Sequence, residues 1–219
     1  MSANLMSLAQ SGGKFLKLFG DRKMMKLLPY DAEVEWLEST GTQWIDTGKV
    51  LSSTGFAYDA DILFKITDNC QVFGGRTVAN NSMSDSLSLF IVGGMWRFDN
   101  FGKSIPGPAV DTDTRYSVSL VDGKTTVNGV EVETPVPTGR SSGVTVYIFA
   151  GHRPQASGDV EFPSSIRLYS LKFYQDGVLA ADYRPVRVGD IGYLYDRASG
   201  QLFGNLGTGA FIIGPDKTI

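Results

Sequence analysis

The most chemically suggestive stretch of this 219-residue chain is Glu33-Val-Glu35-Trp-Leu-Glu38. Alternate residues of an extended strand share a face, so Glu33 and Glu35 would stand side by side. A pair of carboxyl groups about 5–5.5 Å apart is what retaining glycoside hydrolysis asks of its nucleophile and its acid. The competing reading is an edge strand whose solvated carboxylates discourage edge-to-edge pairing. Because the stretch opens the strand pattern, the edge reading is favoured and no catalytic residue is expected. Glu131 with Glu133, and Asp59 with Asp61, repeat the same spacing and read as wet faces of half-buried strands.

A second set of residues suits a sugar. Glycan sites place an aromatic ring against the apolar sugar face and planar polar groups against its hydroxyls. Arg76, Trp96, Asp99, Asn100 and His152 are the candidates. Trp96 and Arg97 alternate, so they face opposite ways unless a bulge intervenes. The structural alternative packs Trp96 or Phe98 between sheets and lets Arg76 bridge strands through its fork of donors. His152 is the sole histidine, followed by Arg153. With no Ser or Cys motif beside it, a loop hydrogen bond or a ligand contact is expected, not nucleophilic catalysis. Gly204-Asn-Leu-Gly207-Thr-Gly209 imitates a phosphate loop, but no helix pattern follows it. Asn80-Asn81-Ser82 is a glycosylation triplet only in a secreted chain.

Composition narrows the classes further. Lys and Arg number 20 against 23 Asp and Glu, a net charge of −3, which argues against a nucleic-acid binder. No apolar run approaches the ~20 residues of a membrane span. A single cysteine, Cys70, excludes an intrachain disulfide framework and multi-cysteine zinc sites.

The elements that must position these residues are strands. Phe56–Ile66 alternates, with Tyr58, Ala60, Ile62, Phe64 and Ile66 on one side. Further runs are expected at 34–38, 71–73, 87–92, 95–98, 116–121, 125–128, 130–133, 144–149, 166–174, 178–183, 193–196, 202–203 and 210–213. Asp122-Gly123, Asn128-Gly129 and Asp176-Gly177 are hairpin turns. About a dozen strands with almost no helix predict an all-β protein of two stacked antiparallel sheets.

Residues 1–29 differ from the rest. They carry Lys14, Lys17, Arg22, Lys23 and Lys26 against Asp21 alone, interspersed with apolar residues. Two short helical pieces broken at Gly12-Gly13 and Gly20 are plausible. The interspersed charges are unlike a secretory signal, which needs a continuous apolar stretch. The segment reads as a docking element, with Phe15, Leu16, Lys17, Phe19, Met24 and Met25 as its contacts, followed by a β-domain over 30–219.

Several motifs together resemble a known family. They are Leu37-Glu-Ser-Thr-Gly-Thr-Gln-Trp-Ile-Asp-Thr-Gly48, Phe73-Gly-Gly-Arg76, Arg97-Phe-Asp-Asn-Phe-Gly102, Leu168–Gly177, Asp182–Asp196, Ser199–Asn205 and Gly207–Phe211. Over about residues 33–216 the chain resembles the laminin-G-like, concanavalin A-like jelly-roll domains of gut bacteria and of phage structural proteins. The resemblance implies a non-enzymatic virion or adhesion module, such as a fibre or decoration protein. A stand-alone carbohydrate-binding protein or a concanavalin A-like glycoside hydrolase is the alternative. The hydrolases of that group carry Glu-x-Asp-x-(x)-Glu deep in the sheet, whereas this chain has Glu35 in the Asp position, on the first strand. The resemblance also implies docking of residues 1–29 on other virion proteins and a homo-oligomer, most simply cyclic, with a trimer expected. It further implies a cell-surface glycan as ligand and a virion location after synthesis in the bacterial cytoplasm. Some relatives use calcium through carboxylate and carbonyl oxygens. Asp68, Asn69, Asp111 and Asp113 could supply these, but their spacing fits no loop signature, and no cofactor is expected.

Overall fold

The computed structural model describes residues 28–77, 85–102, 104–137, 141–154 and 158–218. Phe15, Leu16, Lys17, Phe19, Met24 and Met25, the helical pieces expected near them and the triplet at 80–82 lie outside the described residues.

Among the described residues the chain is all-β, and its strands form two sheets. The larger runs in the order Val130–Val132, Lys124–Val127, Arg115–Val121, Ala57–Phe64, Ser165–Gln175, Val178–Val188, Ile191–Asp196 and Gln201–Phe203. Ala32–Glu33, Leu37–Thr40 and Ile212–Ile213 join it off this path. The smaller runs Val160–Glu161, Gly151–His152, Cys70–Gly75, Leu87–Val92, Met95–Asn100 and Ser104–Ala109, with Ile45–Asp46 and Tyr147–Ile148 attached. Pairing is antiparallel, save that Gly151–His152 lies parallel to Cys70–Gly75.

Alternation explains which face is buried. Tyr58, Ala60, Ile62 and Phe64 point into the core, while Ile66 lies beyond the strand and is exposed. In Ser165–Gln175 the inward residues are Ile166, Leu168, Leu171 and Phe173. Their spacing changes phase after Leu168, and a bulge between Leu168 and Ser170 absorbs the extra residue. Aromatic rings from the two sheets meet edge to face. Tyr58 meets Phe73 at 5.2 Å, Phe73 meets Phe173 at 5.0 Å, and Phe64 meets Trp96 at 5.1 Å. Such pairs add about 0.5–1.5 kcal/mol beyond their burial.

The three expected two-residue turns form, with positive φ at Asp122, Asn128 and Asp176 and at the glycine after each, the backbone that type I′ turns require. Other expectations change. Val34–Glu38 is not one edge strand, since the chain leaves the sheet between Glu33 and Leu37. Leu37–Thr40 then lies between Ser165–Gln175 and Ile212–Ile213. Only Tyr147–Ile148 of the 144–149 run is strand, because the chain reverses at Phe149 (φ 68°) and pairs again at Gly151. No strand is expected at 104–109, where Pro106 and Pro108 depress a strand reading, yet Ser104–Ala109 is an outermost strand, where a missing N–H is tolerated.

One buried carboxylate organises the turn after Ile191–Asp196. Asp196 is fully buried. Its Oδ1 accepts the N–H of Asp182 at 2.8 Å and of Ala198 at 3.0 Å, and its Oδ2 accepts the Ser199 hydroxyl at 2.7 Å. Lys49 Nζ stands 3.9 Å away. Asp196→Ala strands these donors and is expected to cost about 2–4 kcal/mol, read as a lower midpoint in thermal unfolding followed by circular dichroism. Asp196→Asn, which keeps one acceptor, should cost less.

Tyr30 already packs on the larger sheet. Its ring meets Tyr195 at 5.0 Å, and the N–H of Asp31 donates to Arg187 O at 2.9 Å. A chain beginning at Tyr30 should therefore unfold cooperatively near the full-length midpoint. A broad or greatly lowered transition would show that the preceding residues belong to the core.

Candidate functional site

The fold distributes the sugar candidates over four environments. Trp96 lies between the sheets, fully buried, stacked on Phe98 at 5.9 Å and edge-on to Tyr116 at 5.7 Å. No face of its indole meets solvent, so it is a core residue and not a platform. Asp99 and Asn100 are neighbours on one strand and diverge for that reason. Asp99 faces Ser86 and Ser88, whereas the Asn100 amide donates to Pro135 O at 3.1 Å, away from the Asp99 cluster.

His152 sits at one end of an aromatic stack. Its ring lies 4.1 Å from that of Tyr147, nearly parallel, and Tyr147 lies 4.4 Å from Trp44. His152 Nδ1 is 2.8 Å from Thr145 O. A carbonyl only accepts, so that nitrogen carries the proton. Burial, together with the charges of Asp46 and Asp159, raises the Tyr147 hydroxyl to about 12.

Arg76 and Asp99 do come together, on the outer face of the smaller sheet. The Asp99 carboxylate receives the hydroxyls of Ser86 and Ser88, each at 2.8 Å. Ser88 and Ser104 are its register partners on the two flanking strands. Arg76 Nη2 donates to Glu161 Oε2 at 2.6 Å, and Arg153 Nη1 stands 3.6 Å from the same oxygen. The Arg76 N–H donates to His152 O at 2.9 Å, which ties the cluster to the stack. Gln71 completes it. A Cβ at Gly74 or Gly151 would lie 1.9 or 2.1 Å from the Gln71 amide, so glycine at both positions makes room for that side chain.

Gln71, Arg76, Ser86, Ser88, Asp99 and Glu161, with Phe90 and Phe162, line a cavity of about 20 Å³, the size of one water. Gln71 Oε1, Arg76 Nε and Asp99 Oδ1 are buried around it without a hydrogen-bond partner. Phe90 and Phe162 are half-buried and stacked at 6.4 Å at its rim. Sequence reasoning missed Gln71, Glu161, Phe90 and Phe162. The glycine pair flanking Gln71 was a signal, but only the pairing of 71–75 with 151–152 gives it meaning.

The acidic motif does not assemble. Glu33 accepts from Arg197 at 2.6 Å and from the Tyr30 hydroxyl at 3.2 Å. Glu38 is buried against Arg167 at 2.5 Å, and Arg167 lies 4.0 Å over the Trp36 ring. Glu35 is exposed, on a groove that also holds Asp61 and Arg115. The expected edge of solvated carboxylates is therefore replaced by arginine pairs at Glu33 and Glu38. As for calcium, Asp68 Oδ1 accepts the Gly93 N–H at 2.8 Å, and Asp113 pairs with Lys65. No three His, Cys, Asp or Glu side chains gather as metal ligands among the described residues. No helix is long and apolar enough to cross a membrane among them. No protein-family model and no curated protein matches the chain.

Burial raises the Asp99 carboxyl above the usual carboxylate range, against the lowering pull of Ser104, Ser88, Ser86 and Arg76. A carboxyl raised on folding stabilises the protein below its unfolded value and loses that contribution as pH rises through the folded one. Asp99→Asn removes this titration. Its melting temperature should exceed that of the native protein by a few degrees at pH 8, with the gap closing towards pH 4. A gap that is constant over this range would show that Asp99 does not titrate as argued.

Proposed function

We propose that the protein is a non-enzymatic structural or adhesion module of a virion, a fibre or decoration protein. In this reading residues 1–29 dock on other virion proteins, and the β-sandwich, of jelly-roll type, meets a cell-surface glycan. The reading draws on the resemblance of the motifs between Leu37 and Phe211. The observation that carries the glycan part is the outer face of the smaller sheet, where the Phe90–Phe162 ring pair borders Arg76, Arg153, Glu161 and Asp99. A sugar ring laid on the aromatic pair would bring its hydroxyls against planar charged groups. The non-enzymatic part is supported by Glu33 and Glu38, each engaged by its own arginine.

The test is binding to immobilised bacterial surface polysaccharides, with hydrolysis assayed on the same ligands. Phe90→Ser and Arg76→Ala should each weaken binding at least tenfold without release of reducing sugar. Turnover that is lost in a Glu35→Gln, Glu38→Gln variant would establish a glycosidase instead. Deletion of residues 1–29 should leave a folded sandwich that no longer enters the particle.

A further inference from the structure

A different region of the sandwich has the form of a small-molecule cleft. At the end where the turns Thr54-Gly55, Asp122-Gly123 and Asp176-Gly177 gather, two adjoining concavities of about 400 and 520 Å³ share Gly55, Phe56 and Gly123. That is the size range of ligand pockets. The smaller has a mostly apolar wall of Phe56, Leu120, Pro135, Val136 and Pro137. Among these Val136 is 73% exposed, at the rim of the cleft.

Three polar groups interrupt this wall. Asn100 is 94% buried, with its Nδ2 spent on Pro135 O and its Oδ1 without a partner. A buried acceptor left unpaired is unfavourable, so a donor that reaches it is rewarded. Ser53, itself buried, also lines the cleft with its hydroxyl. Thr134 Oγ1 accepts the Thr125 N–H at 2.7 Å, which leaves its own hydroxyl hydrogen to give.

We propose that this cleft binds the acetamido group of an N-acetylated amino sugar. The group offers one N–H, one carbonyl and a methyl on a single plane. The N–H matches Asn100 Oδ1, the carbonyl matches the hydroxyl of Ser53 or Thr134, and the methyl fits the wall of Phe56, Pro135 and Val136. A sugar hydroxyl could supply the donor and acceptor but would leave the apolar wall unfilled. The proposal extends the glycan reading, yet it shares no residue with the Arg76–Asp99 face.

The experiment is a titration of the full-length protein, followed by amide and methyl NMR, with three probes. They are the methyl glycoside of N-acetylglucosamine, methyl glucoside, and a peptide bearing Nε-acetyl-lysine. The N-acetylated sugar should shift the Asn100 side-chain amide and the Val136 methyls saturably, and methyl glucoside should not. Val136→Trp at the exposed rim and Ser53→Ala inside should each weaken binding at least tenfold, whereas Arg187→Ala, in an ion pair outside both sites, should leave it unchanged. Equal shifts with methyl glucoside, or no saturable shift with any acetamido probe, would overturn the site. Tighter binding of the peptide would overturn the sugar as its ligand. Loss of polysaccharide binding in Phe90→Ser bears on the other face alone, so the two readings fail separately.

Discussion

The strand Ser165–Gln175 is the constraint on which the rest of the molecule depends. It pairs with Ala57–Phe64 along one side. Along the other it pairs first with Leu37–Thr40 and then with Val178–Val188. A strand bonded on both sides has no freedom of register, because a one-residue slip would turn its buried side chains to water. Ile166, Leu168, Leu171 and Phe173 therefore fix the level of every strand in the larger sheet, and through the Phe73–Phe173 contact that of the smaller one. The bulge after Leu168 lets both halves of the strand face the core. It also leaves Tyr169 pointing outward, where the Arg115 guanidinium lies 3.8 Å over its ring.

With the core fixed in this way, polar chemistry is confined to the outer faces and the turn end. On the larger sheet Asp61 is held by Arg115 through two hydrogen bonds, and neighbouring charges are largely matched. On the smaller sheet Asp99 accepts from serines, and its nearest cation, Arg76, is bonded to Glu161. That imbalance, with Gln71 Oε1 and Arg76 Nε buried without partners beside it, sets this face apart from the larger sheet's.

Much of the fold was legible because it rests on local rules. Alternation located Ala57–Phe64 and Leu87–Val92, and Asp-Gly or Asn-Gly placed three turns. The site was less legible. Asp99 and Asn100 are adjacent in sequence, and only strand geometry sends them to different environments. Trp96 has the composition of a sugar platform, but its fate depends on Phe64 and Tyr116 from the opposite sheet, contacts that no local pattern announces. Gln71, Glu161 and Phe162 enter through the pairing of Cys70–Gly75 with Gly151–His152 and of that strand with Val160–Glu161. The parallel arrangement of the first pair is one that antiparallel expectation would not consider.

The outermost strand Ser104–Ala109 has a consequence for how copies behave when crowded. Pro106 and Pro108 remove two backbone donors from that strand, and the pairing shifts register between Pro106 and Ala109. The opposite border of the smaller sheet, Val160–Glu161, is two residues long. Both borders are poor templates for a hydrogen-bonded ribbon running from one molecule into the next. Copies held at high local concentration are thereby protected from fusing through this sheet, and their association is left to side chains, which can be specific and reversible.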